Sequence, residues 1–174
     1  MARRVEQRLY PGLPVPAHIL FEPLVMDIDD KRLRRLFRLW RKSRNPASGV
    51  AGYDIVESAE ITPLLRNAIL LEIEFVDFLK KDYVYRLYGP DIAQHYGVDM
   101  TGMRVSDFPS AVSTFFSDLY DQIAEHKIPI YSQHAPPENV NVTMWERLML
   151  PLGDDGLKWI LVINLPKGKR VPAD

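Results

Sequence analysis

Few residues in this chain have the types and spacing that chemistry needs. None of the 174 residues is cysteine, which excludes disulfides, zinc–thiolate sites, thiol nucleophiles, and flavin or thioester chromophores attached through sulfur. Serine, histidine and aspartate occur in no nucleophile–base pattern. The glycines form neither a phosphate-cradling loop nor a dinucleotide fingerprint, and no metal-ligand spacing is present. The best-placed acid is Glu146, flanked by apolar residues in a long strand-like run. A carboxyl in an apolar pocket has a raised pKa and can serve as a general base. A structural glutamate bonded to a neighbouring element has the same sequence appearance, and is the simpler reading. Arg147 follows, but adjacent strand residues point to opposite faces, so the pair makes no clamp. His95, His126 and His134 are the candidates for an axial haem ligand. His95 beside Tyr96 reads more simply as a packing group, and His126 as a helix-capping one.

A second cluster is basic. Lys31, Arg32, Arg34, Arg35, Arg38, Arg41, Lys42 and Arg44 have no acid among them. They describe either a surface for nucleic acid or another polyanion, or the solvated outer face of an amphipathic helix. A formal net charge of −1 favours the second. Arg34 and Arg38 fit an R-x-x-x-R spacing used for nucleotide second messengers, but the density of bases makes that spacing unavoidable.

These residues depend on elements that periodicity identifies. Residues 1–29 hold four prolines and read as an extended arm, too apolar for a linker. Asp29 or Asp30 caps a helix over 30–43, with Leu33, Leu36, Phe37 and Trp40 on one face. Thr62 and Pro63 open a helical turn. From Asn67 the pattern alternates, with Ile69, Leu71, Ile73 and Phe75 on one face, and Lys80 to Asp82 join this strand to Tyr83–Leu87 as a hairpin. A register that places Glu74 near Arg86 gives an outer charge pair. Residues 91–96 form a short helix ended by Gly97. The best helix starts at Asp107-Phe108-Pro109-Ser110 and carries Val112, Phe115, Phe116, Leu119, Tyr120 and Ile123 in one stripe. Three strand candidates follow, Ile128 to His134, Val140 to Leu152 and Leu157 to Leu165. The last is apolar on both faces, so the sheet must be covered on both. The helices of 91–126 can cover one. The other falls to the N-terminal helix, to the arm, or to a second copy of the chain. No apolar run approaches the roughly 20 residues of a membrane span, and the basic start lacks the apolar segment of a secretory signal, so a soluble cytoplasmic protein is expected.

Tyr85-Arg86-Leu87-Tyr88-Gly89, Gly97-Val98-Asp99-Met100-Thr101-Gly102, Glu146-Arg147-Leu148-Met149-Leu150-Pro151-Leu152 and the Gly156 turn appear in the order hairpin, short helices, long helix, three strands. In this the chain resembles the PAS sensor-domain superfamily, and more narrowly a bacterial group of stand-alone PAS-like proteins. The likeness covers roughly residues 62–166, with Leu39-Trp40-Arg41 fitting upstream. It departs at 45–60, where Pro46 is followed by Ala-Ser-Gly-Val rather than by the group's Arg.

The resemblance implies an α+β fold: a five-stranded antiparallel sheet, helices on one face, and a pocket between them that in PAS domains holds haem, flavin, organic acids or nothing visible. It implies an N-terminal extension at 1–61, a PAS-like domain at 62–168 and a tail at 169–174. It also implies a non-catalytic sensory or regulatory module that binds a small apolar or amphipathic ligand or a signalling partner, and forms homodimers. Tyr85, Leu87, Phe115, Phe116 and Leu119 are the expected pocket wall. The alternatives are a small isomerase-like enzyme using Glu146, and a polyanion binder using the basic helix.

Overall fold

The computed structural model describes residues 3–108 and 111–168. Pro109 and Ser110 at the expected start of the long helix, and the tail 169–174, lie outside the described residues. One antiparallel sheet runs through the molecule. Its strands are β1 (Arg4–Arg8), β2 (Ala17–Phe21), β3 (Ala68–Phe75), β4 (Lys81–Tyr88), β5 (Ile130–His134), β6 (Met144–Leu152) and β7 (Trp159–Lys167). The spatial order is β1-β2-β5-β6-β7-β3-β4. The sheet therefore has seven strands where five were expected. The two additional strands come from the proline-rich arm. Three of its four prolines, Pro11, Pro14 and Pro16, fall between β1 and β2, where Leu13 N–H donates to the Tyr10 carbonyl at 3.1 Å. The strands themselves keep their N–H groups, and β2 pairs with β5 through four residue pairs.

Helices cover both faces. On one lie α2 (Pro90–Tyr96) and α3 (Ser113–His126). The stripe Phe115, Phe116, Leu119, Tyr120 and Ile123 packs there with Ile19, Ile69, Tyr85, Met149, Ile160 and Val162. On the other lies α1 (Lys31–Ser43), capped by Asp30, whose carboxylate accepts from Arg32 N–H at 2.7 Å. Hydrogen bonds from Arg32, ahead of burial, hold the Asp30 carboxyl below the usual carboxylate range. Leu33, Leu36, Phe37 and Trp40 enter a second core with Leu70, Leu148, Leu150, Leu161 and Ile163. Burying each of the aliphatic or phenyl side chains contributes about 1.5–3 kcal/mol. Trp40 Nε1 donates to the Pro151 carbonyl at 2.9 Å, a specific tie across the layer. The same chain thus covers the second apolar face.

Gly89 joins β4 to α2. A Cβ at Gly89 would meet the Arg66 carbonyl oxygen at 2.4 Å, so only glycine lets the two backbones approach. Gly97 ends α2 in the left-handed conformation. Gly102 N–H then donates to the Tyr85 carbonyl at 2.7 Å, and Tyr85 N–H donates to the Met103 carbonyl at 2.9 Å. This loop covers the free edge of β4.

Candidate functional site

The central strands carry a polar row on the α3 face. Ser132 on β5, Arg147 on β6 and Asn164 on β7 are in register side by side. His134 and Trp145 form the next pair along β5 and β6. All five are buried, and Arg147 is only 1% exposed. Alternation along each strand puts them there: Trp145, Arg147 and Met149 share one face of β6, while Glu146 and Leu148 share the other.

Arg147 holds its position through one hydrogen bond and three rings. Nη2 donates to the Tyr120 hydroxyl at 2.6 Å. The guanidinium carbon stands 4.8 Å from the ring centre of Phe116, 5.7 Å from Tyr120 and 5.8 Å from Phe115. Among the described residues its Nε and Nη1 find no partner, and neither do the two ring nitrogens of His134, Ser132 Oγ and Asn164 Oδ1. Among the described residues no carboxylate pairs with Arg147. A buried guanidinium without a counter-charge costs several kcal/mol unless its remaining donors are met. Burial, and then the charge of Arg147, push the His134 imidazole well below its ordinary value and keep it neutral. Burial raises the Tyr120 phenol, against the pull of Arg147.

Of the expected pocket wall, Tyr85, Phe115, Phe116 and Leu119 come together in the core under α3. Leu87 stands apart, 36% exposed. The ladder between β3 and β4 shifts between Leu70 and Leu71, so Tyr85 pairs with Leu71, Leu87 with Leu70, and Arg86 is the extra residue. That bulge breaks the alternation that put Tyr85 and Leu87 on one face. Arg86 Nε meets Glu72 at 2.7 Å, with Glu74 at 3.3 Å.

Sequence reasoning passed over the polar row. In sequence Arg147 stands out only as the neighbour of Glu146. A signal was present: a strand apolar on both faces has no solvated side, so the polar residues inside β6 and β7, Glu146, Arg147 and Asn164, are buried ones.

Glu146 belongs to the opposite face and has a structural task. One carboxylate oxygen accepts from the Tyr131 hydroxyl at 2.8 Å and from Asp30 N–H, at the start of α1, at 2.9 Å. The other pairs with Lys167 at 3.1 Å, and Lys167 also reaches Asp29 at 2.6 Å. The carboxylate anchors α1 to the sheet, and its lone pairs are engaged. His95 packs edge-on to Trp145 at 5.3 Å, and His126 lies at the end of α3 beside Glu125. Among the described residues no group of three or more His, Asp or Glu side chains could hold a metal ion, and no helix is long and apolar enough to cross a membrane.

The basic side chains of α1 point outward, with Arg35, Arg38, Arg41 and Lys42 exposed. A surface cleft of about 640 Å³ between the β3–β4 hairpin and α3 is lined by Asp82, Tyr83, Ser106 and Asp121. Its polar groups bond to one another, Tyr83 to Asp121 at 2.5 Å and Ser106 to Asp82 at 2.7 Å.

The fold and the row together define an α+β protein with one antiparallel sheet covered by helices on both faces and an unsatisfied polar centre beneath one of them. Comparison with protein-family models, with curated proteins and with solved structures finds no match to this chain.

Proposed function

We propose that this chain is a PAS-type sensory or regulatory module in which a small molecule occupies the Arg147 row and the state of that site is read by α1. The observation that carries the reading is the back-to-back placement of two neighbours on β6. Arg147 faces the unsatisfied row under α3, while Glu146 holds the N-terminus of α1 on the other face. A shift of β6 that satisfies Arg147 moves Glu146 with it, because the two share a backbone. Occupancy then biases how α1 is held, a population shift between two dockings of the helix. The strand order β5-β6-β7-β3-β4, with α2 and α3 between β4 and β5 on one face, supports the PAS-like reading; β1 and β2 extend the β5 edge. The exposed basic face of α1 is the output surface, suited to an acidic partner protein.

The engagement of both Glu146 oxygens tells against an enzyme built on that residue. Native mass spectrometry of the protein as purified tests the module. The expected result is a mass above the 20.1 kDa chain that denaturation removes, with amide exchange over α1 differing between the as-purified and the stripped, refolded protein. A bare chain as purified, with α1 exchange unchanged by stripping, overturns the reading.

A further inference from the structure

We infer that the Arg147 row is a binding site for a small monocarboxylate with a flat apolar body; this rests on the module reading above. The charge of the site sets the valence of its ligand. Arg147 brings one positive charge, and no described carboxylate answers it. His134 is neutral, buried, and in contact with Phe115 at 4.8 Å between ring centres. A monoanion leaves the buried site neutral. A dianion leaves a net negative charge in an apolar core, and a neutral molecule leaves the guanidinium uncompensated.

The donor set points to a carboxylate. Arg147 offers one N–H on Nε and two on Nη1 that meet no partner among the described residues. A guanidinium presents these donors in a planar fork that matches two carboxylate oxygens. The Ser132 hydroxyl, in register beside Arg147, supplies a further donor, and a neutral His134 supplies one N–H. Asn164 Oδ1, on the other side of Arg147, is an acceptor without a partner. It suits a hydroxyl or amino substituent on the ligand. The body of the ligand meets rings. Phe116, Phe115 and Tyr120 surround the guanidinium, and Tyr96 and Trp145 stack at 6.0 Å nearby. A flat apolar body can replace one of these ring contacts while its carboxylate takes the free N–H groups.

Titration calorimetry on the full chain, stripped and refolded, tests the assignment. The probes are benzoate, phenylacetate, hexanoate and octanoate, each against its neutral amide, with phthalate as the dianion and inorganic phosphate as the compact anion. At least one monocarboxylate is expected to bind about tenfold or more tightly than its amide, as charged hydrogen bonds require, and more tightly than phthalate or phosphate. Arg147→Met should abolish that preference. Ser132→Ala, which removes one small hydroxyl and leaves the charge in place, should weaken the acid by about threefold. It keeps the test decisive should Arg147→Met fail to fold. Amides binding as well as acids, or phthalate or phosphate binding best, overturns the monocarboxylate assignment and leaves the module standing. So does a crystal soaked with the acids that shows only water on Arg147 Nε and Nη1. A bare purified chain and no response to any probe remove the module itself.

Discussion

At the scale of single residues, His134 makes the burial of the polar row measurable. The folded chain keeps the imidazole neutral, because burial and Arg147 disfavour its charge. The unfolded chain accepts a proton near the ordinary value of 6.5. Below that pH the unfolded state binds more protons, so stability falls as pH drops and is fully present above it. The limiting slope is about 1.4 kcal/mol per pH unit, so unfolding free energy should fall by about that much between about pH 7.5 and about pH 5.5. His134→Leu should flatten the loss, read from urea midpoints across that range. An unchanged slope in the variant would mean that other groups carry it. The inward positions beneath α3 were legible in sequence, since Tyr85, Phe115, Phe116 and Leu119 follow strand and helix periods that point into the core. Glu146 was legible as a structural glutamate bonded to neighbouring elements, whereas the place of Arg147 in a polar row was not, because it depends on which strands and helix face it.

At the scale of elements, the docking of α1 is the feature with the most consequences. Its four buried side chains obey a 3.6-residue period that any reading of 30–43 detects. Its partner surface is nonlocal, made of Leu148 and Leu150 on β6 and Leu161 and Ile163 on β7. Trp40→Ala removes the largest buried side chain of α1 together with its bond to Pro151, and should destabilise the protein by about 3–5 kcal/mol. In amide-exchange mass spectrometry α1 should lose protection more than β6 and β7 do. Equal loss across sheet and helix would show that α1 opens only with global unfolding, and would weaken its assignment as the reader of the site. The β3–β4 hairpin teaches the opposite lesson. Its strands are plain from alternation, but the bulge at Arg86 follows from pairing, and it moved Leu87 out of the expected wall.

At the scale of the whole molecule, the arm is part of the sheet. Ala17, Ile19, Leu20 and Phe21 are buried, and β2 satisfies the edge of β5. Removing residues 1–22 would expose that edge and open the core beside α3, so the truncated chain should aggregate or lose its cooperative transition, checked by size-exclusion chromatography and thermal melting. A monodisperse product with an unchanged midpoint would contradict this. The amino-acid sequence by itself determined the α+β class, the hairpins, both long helices and the requirement that the sheet be covered on two sides, because periodicity and turn chemistry are properties of consecutive residues. Only the tertiary structure decided that α1 of the same chain provides the second cover, that the arm adds two strands, and that Ser132, Arg147 and Asn164 align with unpartnered donors and an unpartnered acceptor. Whether a buried polar atom has a partner depends on the register of three strands brought together from positions far apart in the chain, and no local pattern records that register.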